Sequence, residues 1–300
     1  MSVVAVDMFS GAGGLSYGLM DAGIDVVAAF DNWDVAVATY KRNIGDHAHV
    51  RDLSDTESVI KEISAYDADL IAGGPPCQDF STAGKRQEGD RANLTIAFAR
   101  VVSTCRPRFF LMENVPQTRN SVSYNTCKTK LMEAGYHIAE TVLNAALCGV
   151  PQLRSRLFVI GSLVDGLEAD CAEAIEASLS DSPMSVKDYM KNEIDIEHYY
   201  RHPRNYSRRS VFSVHEPSPT IRGVNRPVPP NYRGNHLDSV KPKSVRPLTT
   251  YERSRIQTFP SDWDWGTSDR NTHAEIQVGN AVPVDMAGLV AKAIRNVAEA

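Results

Sequence analysis

The first half of the chain alternates short apolar runs with segments of helical periodicity. The predicted strands are residues 3–8, 26–30, 70–72, 109–113 and 157–161, and the predicted helices are residues 15–22, 35–42, 94–105 and 126–134. Gly23 and Gly135 follow two of these helices, as glycines at helix C-termini do. Strands that alternate with helices are typical of α/β folds with helices on both faces of a sheet. We therefore expect a doubly wound, mostly parallel sheet.

The pattern changes from about residue 180. Eight of the sixteen prolines fall between residues 201 and 250, where helical periodicity is absent. Stretches such as NYRGNH and IRGVNRPVPP indicate turns and loops. Helical character returns at residues 251–257, and residues 284–298 form a predicted final amphipathic helix. The sequence therefore predicts a second, smaller and irregular domain.

Charge is also divided unevenly. The net charge is −5, yet residues 201–250 hold ten Lys or Arg and two acids, a balance of +8 that leaves −13 for the other 250 residues. Such a basic segment would neutralise the phosphates of a nucleic acid, while the acidic remainder limits nonspecific binding. A solvated basic surface is the alternative. We favour the first interpretation because the arginines are interleaved with aromatic residues and prolines: Tyr206, Phe212, Pro219, Pro227 and Tyr232.

One cysteine stands behind two prolines, in the segment GGPPCQDFS at residues 73–81. Pro75 and Pro76 restrict the backbone on both sides of their ring nitrogens, so Cys77 is expected on a stiff loop after a strand. A buried, inert thiol is the alternative for a lone cysteine. Glu113 at the end of one predicted strand, and Arg154 and Arg156 before another, favour a nucleophilic Cys77.

A glycine-rich loop follows the first predicted strand. Gly11, Gly13 and Gly14 let a ligand approach the free backbone N–H groups before the first helix, although a tight turn alone would also need glycine. Asp31, after the second strand, is placed to accept hydrogen bonds from ribose hydroxyls.

Six motifs in order resemble those of the DNA cytosine-5 methyltransferases: DMFSGAGG, PPCQ, ENV, QLRSR, RPLTTYERSRIQTFP and QVGNAVP. The resemblance runs nearly from end to end of the chain. It implies a Rossmann-like S-adenosylmethionine-dependent methyltransferase domain at residues 1–180 plus 275–300. A target-recognition domain with its hinge is implied at residues 181–274, inserted in the first.

The same resemblance implies roles for particular residues. Cys77 is the implied nucleophile on cytosine carbon 6, Glu113 binds ring nitrogen 3 if burial keeps it protonated, and Arg156 holds Glu113 and contacts the base, with Arg154 on the same face. The implied S-adenosylmethionine pocket comprises Phe9, Ser10, Gly11, Gly13, Gly14, Leu15, Asp31, Asn32, Asp52, Leu53, Pro76, Leu94, Asn280 and Val282. Without the resemblance, Asp52 is interpreted as the cap of the following helix.

The expected partner is double-stranded DNA, whose target base must be flipped out to reach the pocket. The expected DNA-binding residues are Ser81, Arg91, Arg208, Arg209, Arg222, Arg226, Lys241, Lys243 and Thr249. Among them Arg208, Arg209, Arg222 and Arg226 are expected to read guanine edges, and the two lysines to hold phosphates. We expect no metal, because the five cysteines form no C-x-x-C pair. We also expect a cytoplasmic, nucleoid-associated monomer that needs no physical contact with a cognate restriction endonuclease.

Four other functions remain possible at this point. An RNA cytosine methyltransferase is disfavoured because its C-F-T signature is absent, and an amino methyltransferase because Cys77 replaces the aromatic residue of its D-P-P-Y-like loop. A catalytically dead DNA-binding regulator would not need the intact set Cys77, Glu113 and Arg156. A nicotinamide dehydrogenase shares only the glycine loop.

Overall fold

The computed structural model describes residues 2–76, 92–266 and 272–300. Cys77, Ser81 and Arg91 therefore lie outside the described residues. Two compact units make up the chain. The first contains Met1–Leu143, Ser155–Leu179 and Met286–Ala300, and the second contains Asn144–Arg154 and Ser180–Asp285.

Strands and helices are numbered in chain order over the described residues. The strands are β1 (Val4–Met8), β2 (Asp25–Asp31), β3 (Ala48–Val50), β4 (Leu70–Gly73), β5 (Phe109–Asn114), β6 (His137–Asn144), β7 (Gln152–Leu153), β8 (Ser155–Ser162), β9 (His198–Tyr200), β10 (Val211–Ser213) and β11 (Ser218–Pro219). The helices are α1 (Gly14–Asp21), α2 (Asp34–Asn43), α3 (Thr56–Ile63), α4 (Ala92–Cys105), α5 (Val122–Glu133), α6 (Leu167–Ala177), α7 (Val186–Met190), α8 (Thr250–Ile256), α9 (Thr272–Asn280) and α10 (Val284–Glu299).

The first unit is built on a seven-stranded sheet with the order β3-β2-β1-β4-β5-β8-β6. The pairs β3–β2, β2–β1, β1–β4 and β4–β5 are parallel, and β5 pairs with β8 in the antiparallel sense. This arrangement confirms the predicted α/β class with a mostly parallel sheet. It also brings the carboxyl ends of β1, β2, β4 and β5 to one edge.

Alternation along the strands puts different groups on the two faces of the sheet. Val6 and Met8 of β1 join a core that includes Phe98 of α4 and Tyr124 of α5. Asp7 points the other way and meets Ser16 of α1. Gly73 is required where β4 passes β1, because a Cβ there would lie 2.5 Å from the Met8 carbonyl oxygen. Helices therefore cover both faces, as predicted.

The predicted strands and helices are confirmed with small shifts of their ends. Gly23 and Gly135 have φ of 86° and 94°, as their positions after helices predict. Among the elements that were not predicted are the strand β6 and the helices α6, α7 and α9. The strand β6 lies at the end of the sheet order and its residues are mostly half-buried, so its sequence HIAETVLN lacks the apolar run of a central strand.

The second unit has short elements and long irregular stretches, as predicted. Its core contains Val186, Tyr199, Ile221, Leu248 and Val278. Two small sheets occur, β9 with β10 antiparallel and β7 with β11 parallel. Residues 144–154, which include β7, belong to this unit rather than to the first.

Candidate active site

The edge at which the parallel strands end gathers most of the predicted site residues of the first unit. Met8 pairs with both Phe30 and Gly73, so the glycine loop, Asp31 and Gly74–Pro76 follow neighbouring strands. Ligands of open α/β sheets bind outside the carboxyl ends of the strands, where adjacent connections diverge. The edge is therefore the candidate active site.

The loop between β1 and α1 is held open by unusual backbone angles. Phe9, Gly11 and Gly13 have φ of 62°, 52° and 95°. A positive φ is strained for phenylalanine, and such strain concentrates at ligand sites. A Cβ added to Gly11 would have no atom of the described residues within 4 Å, whereas a Cβ added to Gly13 would lie 2.4 Å from Ile44. The loop therefore has free space beside Gly11, and Gly13 is closely packed.

Ser10 offers a polar atom to this space. Its side chain is 6% exposed, and its hydroxyl has no hydrogen-bond partner among the described residues. A buried hydroxyl without a partner is costly in a folded protein, and a bound polar ligand removes that cost.

Asp31 fixes the loop to the end of β2. Its Oδ2 accepts from the N–H of Gly11 at 2.8 Å, and its Oδ1 accepts from the N–H of Trp33 at 2.8 Å. Burial raises the pKa of the Asp31 carboxyl, against these backbone hydrogen bonds, which lower it. The N–H of Asn32 also donates to this carboxylate, so its two oxygens keep acceptor capacity for about one further donor. Asn32, beside it, is exposed.

Asp7 was not predicted as part of the site. Its side chain is fully buried, and its Oδ2 accepts from the Ser16 hydroxyl at 2.5 Å. Burial raises the pKa of Asp7 to about 7; the hydrogen bond from Ser16 opposes the rise and nearby Asp31 adds to it. The sequence signal is weak, because an acid one residue from a strand end is usually exposed.

Glu113 and Arg156 meet at the same edge. Glu113 is 8% exposed near the end of β5, and the Arg156 Nε at the start of β8 lies 2.8 Å from its Oε1. The two groups therefore form an ion pair, although the contact does not have the geometry of a hydrogen bond, and Oε1 accepts no hydrogen bond from the described residues. A Cβ on Gly74 would lie 3.2 Å from the other oxygen, Oε2, so the loop after β4 passes directly by Glu113.

Asn114 joins the two loops, and its role was also missed. Its Nδ2 donates to the carbonyl oxygen of Pro75 at 2.9 Å. Its Oδ1 accepts from the N–H of Val115 and from the hydroxyl of Thr118, both at 2.8 Å. The side chain of Asn114 thus ties the end of β5 to the segment that leads into Cys77, one residue beyond Pro76.

Four other predicted cofactor residues have varied surroundings. Asp52 is exposed and accepts from the N–H and the hydroxyl of Ser54, which lowers the pKa of its carboxyl. The cap interpretation of Asp52 is wrong, because Asp55 accepts from the N–H of Ser58 and caps α3. Leu53 is buried in the core, and Leu94 packs against the same core. Pro76 is half-buried.

Arg154 lies in the second unit. Its guanidinium donates to the carbonyl oxygens of Ile221, Gly279 and Ala281 at 3.1 to 3.2 Å. Arg154 precedes β8, which begins at Ser155, and the expectation that it shares a face with Arg156 stays a prediction. These contacts give Arg154 a structural role. Asn280 and Val282 also belong to this unit, where Asn280 ends α9 and Val282 is buried.

Arg209 of the basic segment is occupied inside the protein. Its Nη1 donates to Glu216 at 3.0 Å, its Nη2 also contacts Glu216, and its guanidinium carbon lies 4.6 Å from the centre of the Phe212 ring. A guanidinium that holds a carboxylate with both nitrogens has little left for a base edge. The structure therefore disfavours Arg209 as a base reader.

The other predicted DNA-binding residues differ in exposure. Arg208, Arg226, Lys241 and Lys243 are exposed, and Arg222 is half-buried and donates to the carbonyl oxygen of His202. Thr249 caps α8: its hydroxyl accepts from the N–H of Glu252, whose side chain accepts from the N–H of Thr249. No described helix is long and apolar enough to cross a membrane.

The mostly parallel sheet, with a strained glycine loop at its carboxyl edge, defines a Rossmann-like fold. Two solved structures share this fold over almost their whole length. They are the methyltransferase EhMeth of Entamoeba histolytica (TM-score 0.76, 18% identity, 99% of this chain and 98% of that one) and the Dnmt2 methyltransferase of S. pombe (TM-score 0.71, 20% identity, 100% and 99%).

Residues 3–296 match the model of the C-5 cytosine-specific DNA methylase family, and the chain belongs to that family. It is therefore a DNA cytosine-5 methyltransferase, and membership implies S-adenosylmethionine as the methyl donor. The chain is 47% identical to the Type II methyltransferase M.HgiDI of Herpetosiphon aurantiacus over 292 residues, 97% of this chain and 93% of that protein. It is also 47% identical to the Type II methyltransferase M.HindV of Haemophilus influenzae over 294 residues, 97% and 96%.

Proposed function

We propose that this enzyme methylates carbon 5 of a cytosine flipped out of a short specific duplex sequence, through a covalent bond to Cys77. We further propose that it modifies DNA within a restriction–modification system, because its two relatives are named Type II methyltransferases. The observation that carries the proposal is the edge of the sheet where Glu113, Arg156 and the segment leading to Cys77 meet.

The loop fits S-adenosylmethionine. Gly11 leaves room for a ligand, Ser10 has a free buried hydroxyl, and Asp31 is fixed with acceptor capacity for a further donor. When bound there, S-adenosylmethionine supplies the methyl group. We propose that Phe9, Gly13, Gly14 and Leu15 shape the same pocket, and that Asn32, Asp52, Leu53, Pro76, Leu94, Asn280 and Val282 complete it. The expectation that no metal takes part stays a prediction.

Cytosine carbon 5 is too weak a nucleophile to be methylated without activation. The Cys77 thiolate adds to carbon 6, and the electron pair of the 5,6 double bond moves so that carbon 5 becomes nucleophilic. The protonated carboxyl group of Glu113 donates a hydrogen bond to ring nitrogen 3, where charge develops, and Arg156 keeps the carboxyl group in place. After carbon 5 gains its methyl group, loss of the proton from carbon 5 restores the double bond and expels the thiolate.

The second unit is proposed to recognise the DNA target. Residues 181–274, the proposed target-recognition domain and hinge, fall entirely within it, and it contains the whole basic segment. Arg208 and Arg226, which are exposed and form no ion pair with any described residue, are the proposed base readers, while Lys241 and Lys243 hold phosphates. Ser81, Arg91 and Thr249 are further proposed DNA contacts. The target base must leave the duplex, because stacked cytosine does not expose carbon 6 to a thiolate.

Bisulfite sequencing of DNA from cells that express the protein tests this function. It should show methylated cytosines at one short motif, and mass spectrometry of the nucleosides should identify 5-methylcytosine. Cys77→Ser should abolish the signal, whereas Cys105→Ser, a change at the least buried described cysteine, should not. Methylation on the exocyclic nitrogen, or full activity of Cys77→Ser, would overturn the proposal.

A further inference from the structure

A small cleft in the second unit is lined by an unusual number of arginines. Arg201, Arg222 and Arg253 line it together with His202 and Asn225. Its volume is about 30 Å³. Asn225 and the neighbouring Val224 are exposed, so the cleft opens to solvent on that side. We refer to it as the arginine cleft.

The protein fixes these guanidinium groups with backbone carbonyls. Arg201 donates to the carbonyl oxygen of Thr220 at 2.8 Å, Arg222 donates to that of His202, and Arg253 donates to that of Arg222. Carbonyl oxygens orient a guanidinium but do not neutralise it. The arrangement is therefore preorganised and keeps its positive charge.

Among the described residues, one carboxylate forms an ion pair with an arginine of the cleft. Glu275 forms an ion pair with Arg253. Within the part of the chain that the structure describes, Arg201, Arg204, Arg222 and Arg226 form no ion pair. The two acids of the basic segment are engaged elsewhere: Glu216 holds Arg209, and Asp238 accepts from the N–H groups of Ser210 and Val211.

The charges affect one another. Burial lowers the pKa of Arg201 to about 10, and Arg222 lowers it further. Burial also lowers the pKa of Arg222, with added repulsion from Arg204 and Arg226. The pKa of His202 is lowered by burial and then by Arg226 and Arg222. Half-buried cations that repel one another are destabilising unless an anion joins them.

The size of the cleft decides which part of DNA it accepts. A volume of about 30 Å³ admits one or two atoms the size of a water molecule. A nucleic-acid base is several times larger, whereas one oxygen of a phosphate group fits while the rest of the group stays outside. We propose that Arg201 and Arg222, which line the cleft, bind one backbone phosphate of the DNA, and that exposed Arg204 joins them from outside the cleft.

This inference rests on the proposed function and changes the role expected for Arg222. A half-buried Arg222 in the cleft fixes the position of the DNA backbone and does not read a base. Exposed Arg226 remains free to point away from the cleft toward a base edge. Arg201 and Arg204 become phosphate-binding residues that the sequence did not single out.

Single neutral methylphosphonates placed in turn along a cognate duplex test the proposal. At one position the substitution should weaken binding to the wild-type enzyme roughly tenfold, as loss of hydrogen bonds to a charged group does. Arg222→Gln, and Arg204→Gln at a more exposed position, should bind the unmodified duplex with the same roughly tenfold loss of affinity. The methylphosphonate at that position should then weaken their binding no further. Arg233→Gln, an exposed arginine of the same segment, is the matched control and should respond like the wild type.

Three other outcomes would overturn the proposal. Equal sensitivity of all variants at every phosphate would show that the cleft binds no backbone group. Coupling to 7-deazaguanine in place of guanine would make Arg222 a base reader. A rise in melting temperature with inorganic phosphate that Arg222→Gln abolishes, without methylphosphonate coupling, would indicate a site for free phosphate. Methylation by the same wild-type preparation tests the proposed function separately.

Discussion

The buried carboxyl of Asp7 predicts a specific dependence of stability on pH. Burial raises its pKa from the ordinary value of 3.8 to about 7 in the folded protein. A raised pKa means that the folded state retains a proton that the unfolded state has already lost. Stability from this group is therefore complete below about pH 4 and is lost as pH rises to about 7.

The magnitude follows from the size of the shift. About three pKa units at 1.36 kcal/mol each correspond to roughly 4 kcal/mol in total. Asp7→Asn removes the titration while its amide oxygen can still accept from Ser16. Between pH 5 and 7 the wild type should lose about 1.4 kcal/mol of stability per pH unit relative to Asp7→Asn, and above about pH 8 the difference should be constant.

Urea unfolding of both proteins at half-unit pH steps from 5 to 9 measures this difference. Glu173→Gln, a change at an exposed carboxylate of α6, is the control for the loss of one surface charge. A flat difference between the wild type and Asp7→Asn would refute the reasoning, because it would mean that Asp7 is ionised in the folded protein throughout this range.

Three further predictions concern the site and the DNA. Glu113→Gln should slow methyl transfer, measured by rapid quench, by orders of magnitude and should change cofactor affinity little. Equal losses of rate and of cofactor binding would instead indicate a structural role for Glu113. Asn114→Ala should lower the free energy of unfolding by about 2 to 4 kcal/mol and should slow catalysis, since it removes the hydrogen bonds that Asn114 makes to Pro75 and to Thr118. An unchanged urea midpoint would contradict this. Arg208→Ala should cost about 1 to 3 kcal/mol of binding free energy at the specific site and relax the preference at one base position. Lys243→Ala should weaken binding to cognate and scrambled duplexes alike and reduce the slope of log affinity against log salt concentration by about one. Indistinguishable salt titrations of the two variants would reject the division into base readers and phosphate-binding residues.

The strands and their loops could be predicted because their signals are local. The apolar runs 70–72 and 109–113 identify β4 and β5, and the motifs that follow them identify the edge where Glu113 and the segment before Cys77 meet. The glycines after β1 indicate the loop, although the strained φ of Phe9 has no sequence signal.

Other parts of the site depend on contacts between distant residues. The structural role of Arg154 arises from carbonyls more than 60 residues away, and the pair of Arg209 with Glu216 removes an apparent base reader. The arginine cleft could not be predicted from the sequence, because Arg253 comes from α8 and its partner Glu275 from α9, both outside the basic segment. Composition predicted a basic segment but not which of its charges are paired.

The covalent intermediate is the central claim. Duplex DNA with 5-fluorocytosine at the target position tests it most directly, because fluorine cannot leave carbon 5 as a proton does. The wild-type enzyme with S-adenosylmethionine should form a stable protein–DNA complex, and peptide mass spectrometry should place the bond on Cys77. Enzyme that methylates ordinary DNA but forms no such complex, or a bond to another cysteine, would contradict the mechanism.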